Sequence, residues 1–378
     1  MFVSKLGLAD FRNYESLELS PGAGINIFHG DNGQGKTNIL ESVFYSSIGR
    51  SFRSGRDNEL IRAGASGFSV FTGISSDINE SIEIRYASGG EKSIKVNGLY
   101  LRKLGQLMGT LLTVIFSPED LQLVNSGPSA RRKMLDIAVS QITPVHFYNL
   151  QQYGKVIRQK NNLLRDMSIS SVSGTGELID VYNEQLSRFG CQILLKRLEF
   201  SEKLKEYAAA CHKNISGGEI FNVTYESDCI PEGFKIKKDT PAAEYAAAIK
   251  EYMLSQLDQR RDREIERQQS LCGPHHDDLK LELGGTDLRR FGSQGQKRTA
   301  VLALKLSELE IIKRSTGRVP VLLLDDVFSE LDASRCRLLL ESIKNCQTFI
   351  TCTSPVELPE TVLKDAEMFL VKGGSIIQ

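Results

Sequence analysis

Gly30, Asp31, Asn32, Gly33, Gln34, Gly35, Lys36 and Thr37 form a complete phosphate-binding loop of the pattern G-x-x-x-x-G-K-[ST]. The glycines let backbone N–H groups close around phosphate oxygens without a Cβ in the way. A helix starting at Lys36 would point its positive dipole end at the same anion. Lys36 can neutralise terminal phosphates, and the Thr37 hydroxyl can ligate Mg2+. The flanks fit this reading. Ile25–His29 reads as a short buried strand and Lys36–Ile48 as a helix, with Gly49 placed to end it. A chance glycine turn has no reason to carry both flanks. The chemistry indicated is nucleoside triphosphate binding.

A second set of groups lies far along the chain. The apolar run Val321, Leu322, Leu323, Leu324 ends in Asp325 and Asp326, as expected of a strand buried on both faces of a parallel sheet. Asp325 is placed to hold Mg2+, directly or through water, and Asp326 to orient an attacking water. Between the loop and this strand, Ser293, Gln294, Gly295 and Gln296 open a helix expected to run to about Arg314, with Ser293 a candidate N-cap. Leu302, Leu306, Leu309 and Ile312 give that helix an apolar stripe. Its start is another potential anion site.

This order of motifs resembles the ABC-type ATPase heads of the structural-maintenance-of-chromosomes (SMC) class and, more closely, the RecF family of bacterial recombination-mediator ATPases. The residues carrying the resemblance run from Leu8 to Tyr14, Gly30 to Asn38, Phe116 to Leu121, Arg131-Arg132, Gly273 to His275, Asp277 to Leu279, Gly292 to Arg298 and Leu324 to Asp332. It implies an α/β fold, an ABC-type P-loop ATPase head with an inserted, mostly helical second lobe. It implies ATP and Mg2+ as ligands, with Asn38 and Arg12 near the nucleotide beside the loop residues. The Ser293, Gly295 and Gln296 turn would bind the γ-phosphate in trans, so that ATP assembles a homodimer and slow hydrolysis resets it. By the same resemblance the partners are double-stranded DNA, gapped DNA junctions and the RecO and RecR proteins. The setting is recombinase loading in repair, replication restart and the SOS response.

The chain departs from its relatives in places. Asp326 stands where most such heads carry Glu, so slow turnover is expected. His276 stands where the family usually has Arg. Thr353 lies where many ABC heads have a switch histidine. Alternatives are a nucleotide-gated ABC-type scaffold with incidental DNA contact, or another SMC-like repair ATPase. An overcoming-lysogenization-type nuclease would require a Toprim acidic domain after the head, and none is expected.

Forty-seven basic and 47 acidic residues balance to zero formal charge over 378 residues. DNA contact must therefore come from a local patch. The candidates are Arg131, Arg132 and Lys133 at one helix start, and Lys155, Arg158 and Lys160 on the next helix. Seven cysteines without C-x-x-C spacing, no secretory signal and no membrane-length apolar run point to the cytoplasm. His275, His276, Asp277 and Asp278 are too crowded in sequence to converge easily on one ion, and a structural or nucleotide-adjacent role is expected.

The expected organisation is an N-terminal part of the head over 1–115, a helical insertion over 116–269 and a C-terminal part over 270–378. Within it, Phe68 to Ile74, Ile82 to Ala87 and Ser93 to Val96 read as strands, with a turn at Asn97-Gly98. Pro144 starts a helix to about Met167. Ser168 to Gly176 reads as a loop, Leu178 to Tyr207 as one face of a long helix, and Ala242 to Gln269 as a further helix.

Overall fold

The computed structural model describes residues 1–169, 175–234 and 241–377. The chain divides into two compact units, residues 1–121 with 211–218 and 294–378, and residues 122–210 with 219–293.

The first unit holds two sheets. In one, four parallel strands run in the order Ala366–Lys372, Ile25–His29, Thr348–Cys352, Val321–Asp325, flanked by Thr113–Phe116 in parallel and by Ser375–Ile377 as an antiparallel edge. Every residue of Val321–Asp325 and Thr348–Cys352 is buried, as a sheet covered on both faces requires. Phe28 stacks between Phe349 and Phe369 at centroid distances of 5.7 and 5.1 Å. The other sheet is antiparallel, in the order Tyr14–Leu19, Phe2–Phe11, Gly67–Ser75, Glu80–Ala87, Lys92–Val96, Leu99–Tyr100. Its last hairpin turns through Asn97 and Gly98, both at positive φ (52° and 78°), the requirement of a two-residue type I′ turn.

The helix Lys36–Ile48 joins the two sheets. Its Ser46 hydroxyl meets Thr72 of the antiparallel sheet and its Ser47 hydroxyl meets Thr113 of the parallel one, each at 2.7 Å. These buried hydroxyls satisfy one another, so the helix can be enclosed without stranding polar atoms. Gly49 at φ 68° ends it, and its N–H donates to the Tyr45 carbonyl at 2.7 Å. The helix Gln294–Thr316 is buried from Thr299 through Leu309 and again at Ile311 and Ile312, well beyond the stripe of four expected from spacing.

In the second unit, helices Pro128–Ile142 and Pro144–Ile169 and the helix Thr175–Ser216 as far as residue 210 are followed by Phe221–Glu226, which pairs with Asp278–Leu283 and through it with Thr286–Asp287. The segment read as a loop at 168–176 lies, for residues 170–174, outside the described residues. Thr175–Ser216 has 42 residues, about 63 Å at 1.5 Å per residue. Leu186, Ile193, Phe200 and Leu204 of its expected apolar face are buried, while Leu178 is exposed. The helix expected over 242–269 is instead two, Ala242–Gln259 and Arg261–Arg267. Arg260 breaks them at φ −98°, ψ 1°, with its guanidinium bonded to Asp228 and the Leu271 carbonyl at 3.0 Å each.

Candidate nucleotide-binding site

The phosphate loop sits between the central strand Ile25–His29 and the helix Lys36–Ile48. Lys36 is buried, and its ammonium donates to the carbonyls of Gly30 (2.6 Å) and Asp31 (2.8 Å). The loop is thereby held in a ring around the Lys36 ammonium. Gly30 and Gly35 have φ of 141° and 116°. A Cβ at Gly30 would lie 2.4 Å from the Val371 carbonyl oxygen, and one at Gly35 would lie 2.7 Å from the Asn13 amide. Both positions therefore exclude any side chain.

The loop is braced from outside by residues the sequence reading left unassigned. Asn13 donates its amide to the Gln34 carbonyl (2.8 Å) and accepts from Asn38 (2.8 Å), and the Tyr14 hydroxyl donates to the Gly35 carbonyl (3.1 Å). The turn after Ala366–Lys372 closes the other side. Gly373 N–H donates to Gln34 Oε1 at 2.7 Å and Gly374 N–H to the Gln34 carbonyl at 3.0 Å. Gly30 N–H donates to the Thr353 carbonyl at 3.3 Å, so the Thr353 backbone abuts the loop. Asn13 and Tyr14 lie in the Leu8–Tyr14 run, whose one assigned residue was Arg12.

The Thr37 hydroxyl donates to Asp325 Oδ1 at 2.7 Å. Thr351 donates its hydroxyl to the same oxygen at 2.8 Å and accepts the Asp326 N–H at 2.9 Å. Parallel pairing of Asp325 with Thr351 puts the hydroxyl there. Burial pushes the Asp325 carboxyl above the usual carboxylate range, against the pull of the two hydroxyls. Asp326 is half-buried at φ 53°, a left-handed conformation uncommon outside glycine and Asn or Asp. Arg53 is exposed, donates to Asn38 at 3.3 Å, and acts electrostatically on Asp325. No loop motif covers Arg53, so sequence reasoning missed it.

Arg12 is bound to the loop helix Lys36–Ile48. At φ 56°, its guanidinium grips the fully buried Glu41 through two bonds of 2.7 and 2.8 Å and also donates to Ser54 and the Glu59 carbonyl. Its charge is spent on a carboxylate of the same helix that carries Lys36 and Thr37. Gly295 in the Ser-x-Gly-Gln turn accepts at its carbonyl from Thr299 Oγ1 and from Arg335 Nη2, each at 2.9 Å. Ser293 and Gln294 are exposed and Gln296 is half-buried.

Two of the six DNA candidates are corrected by burial. Arg131 is buried, bidentate to Asp278 at 2.6 and 2.8 Å, and capped by the Leu123 and Ser126 carbonyls. Lys160 is fully buried against Glu264 (2.5 Å) and Asn183 (2.7 Å). Neither can reach a phosphate. Arg132 is half-buried and donates to the Asp277 carbonyl at 2.7 Å, while Lys133, Lys155 and Arg158 are exposed.

The histidine cluster is engaged in internal hydrogen bonds. Asp277 is bound by Arg197 and Tyr225, Asp278 by Arg131, and His275 by Tyr153, with burial holding His275 down to about 3. Among the described residues no group of three or more His, Cys, Asp or Glu could hold a metal ion.

A phosphate loop on the central strand of a parallel sheet, an aspartate-ending neighbour strand and an appended antiparallel sheet define an ABC-type ATPase head. The chain matches the RecF/RecN/SMC N terminal domain model over residues 2–370. It is 42% identical over 355 residues to the DNA replication and repair protein RecF of Acetivibrio thermocellus, covering 93% of each chain. It is 40% identical over 380 residues to that of Clostridium tetani, covering all of both. The solved structure of the recombination mediator protein RecF with ATP in the RecFOR pathway superposes with a TM-score of 0.89 at 35% identity, covering 100% of this chain and 97% of the other. An SMC head bound to the C-winged helix domain of ScpA, at 14% identity and a TM-score of 0.54, shares the fold. The chain belongs to the RecF family. Among the described residues no helix is long and apolar enough to cross a membrane.

Proposed function

We propose that this chain is a weak, DNA-dependent ATPase whose two copies close on ATP and hold double-stranded DNA at gaps, working with RecO and RecR to load recombinase. The observation that carries this reading is the 2.7 Å contact between Thr37 and Asp325, which joins the two halves of an ATP site across the chain. The ATP complex of a RecF relative supports the choice of nucleotide.

Lys36 exchanges its carbonyl partners for phosphate oxygens when the triphosphate enters the loop. Thr37 and Asp325 suit Mg2+, because both offer hard oxygen donors and Asp325 is a buried carboxylate whose charge a cation would stabilise. A cation held by Thr37 and Asp325 would neutralise phosphate charge on the triphosphate. Asp326, one residue further, orients the water that attacks the γ-phosphate. Ser293, Gly295 and Gln296 of a second copy close the site, so ATP and ADP differ in what they hold together. Hydrolysis then opens the clamp.

DNA is held through phosphates by Lys133, Lys155 and Arg158, with Arg132 behind them, and two copies on one duplex raise the effective concentration of the second patch. The seven cysteines are all free, in keeping with a cytoplasmic setting. Sedimentation velocity with ATP, with ADP and without nucleotide, each with and without duplex DNA, tests the reading. A dimer is expected with ATP alone among the three conditions, bound to the duplex. Identical sedimentation with ATP and ADP refutes it.

A further inference from the structure

Arg335 stands on the helix Ala333–Ile343, directly after the segment that begins at Asp325 and Asp326. Its Nη1 donates to Asp332 Oδ2 at 2.6 Å. Its Nη2 donates to the Gly295 carbonyl at 2.9 Å and to Thr299 Oγ1 at 2.7 Å, and its Nε donates to Thr299 Oγ1 at 2.9 Å. The Arg335 side chain is only 16% exposed. Asp332 is fixed in turn, since its Oδ1 accepts from the Arg335 N–H at 3.0 Å and from the Ser334 hydroxyl at 2.8 Å. One guanidinium thus ties the first turn of Gln294–Thr316 to the start of the helix that follows the catalytic aspartates.

Helix stability does not explain this placement. A cation at a helix N-terminus opposes the helix dipole, and acids are what such ends favour. The fork geometry also matters, because a guanidinium can satisfy a carboxylate, a hydroxyl and a carbonyl in fixed directions at once, which an ammonium cannot.

We infer that Arg335 is a positioning residue that sets the Ser293–Gln296 turn according to the position of the 326–332 segment. The inference rests on the trans reading of that turn given above. Through Arg335, a copy whose 326–332 segment has shifted at its own aspartates presents an altered turn to the nucleotide of the other copy. The two ATP sites of the dimer are thereby coupled through a side chain that touches neither nucleotide.

The test compares Arg335→Ala, Arg335→Lys and Ser293→Arg for monomer ATP affinity, melting temperature, ATP-driven dimerisation and turnover. Removing a hydrogen-bonded charge of this kind is expected to weaken dimerisation and turnover by ~10–100-fold. Monomer ATP affinity should stay at the wild-type value, and Arg335→Lys should recover part of the loss. Adding Arg335→Ala to Ser293→Arg should cost nothing further. Wild-type dimerisation in Arg335→Ala, with Ser293→Arg monomeric, overturns the positioning role alone. Dimerisation by Ser293→Arg overturns the trans reading itself. Should Arg335→Ala lower the melting temperature, Arg335→Lys at unchanged melting temperature must still slow turnover, and wild-type turnover in that variant rejects the inference.

Discussion

Thr37 and Asp325 are 288 residues apart in sequence and 2.7 Å apart in space, hydroxyl to carboxylate. The parallel pairing that seats Val321–Asp325 beside Thr348–Cys352, and the latter beside Ile25–His29, brings the loop helix and the aspartate to the same sheet end. This is the carboxyl edge of the strands, where open α/β sheets place their ligands.

Replacing Asp325 by Asn separates function from stability. Burial raises the carboxyl pKa in the fold, so between its ordinary and its raised value the folded state binds more protons than the unfolded state. Stability therefore falls as pH rises through that window, and the charged carboxylate costs stability above it. Asp325→Asn should raise the melting temperature of the nucleotide-free protein at neutral pH while weakening Mg2+-ATP binding. A scanning calorimeter and a nucleotide titration check both arms; a lower melting temperature contradicts the sign.

Asp326→Asn should keep Mg2+-ATP binding, because Thr37 and Asp325 remain. Turnover should drop by ~10²–10⁴, the usual contribution of a positioned base. The ATP dimer should then persist in sedimentation. Matching behaviour of the Asp325 and Asp326 variants would refute the division of roles.

Lys36→Met should abolish ATP binding measured by calorimetric titration, because the buried ammonium is the charge that meets the terminal phosphates. Unchanged affinity would remove the loop from the site.

The proposed DNA patch predicts opposed outcomes for neighbouring cations. Lys133→Ala, Lys155→Ala and Arg158→Ala should each lower the slope of log K against log salt by about 0.9 if the side chain touches phosphate, and Lys155→Ala and Arg158→Ala should leave the melting temperature unchanged. Arg131→Ala should instead destabilise the fold by roughly 3 kcal/mol, because it strands Asp278 and two carbonyls. A slope change in Arg131→Ala with intact stability would restore that residue to the DNA surface.

Much of the head was legible because its motifs carry their own context. Ile25–His29 and Lys36–Ile48 follow from the loop between them, and Val321–Asp325 from an unbroken apolar run ending in charge. The charged residues were legible in type but not in role. Nothing near Arg131 or Lys160 in sequence announces Asp278 or Glu264, which arrive from more than a hundred residues away. Nor does anything near Arg12 in sequence announce its pairing with Glu41, a buried acid on the loop helix. The brace of Asn13 and Tyr14 on the loop was hidden because a polar residue after a strand looks like any turn. The break at Arg260 was hidden because no Gly or Pro marks it, and the tertiary bonds of its guanidinium set it.

In the proposed dimer each ATP lies between the loop of one copy and the Ser293–Gln296 turn of another. Mixing Lys36→Met, which keeps the turn, with Ser293→Arg, which keeps the loop, tests it most directly. Neither variant alone should hydrolyse ATP on duplex DNA. Their mixture should regain turnover, because one composite site is intact in the mixed dimer. A mixture as inactive as its components, with both variants folded and the wild type active, would contradict the account.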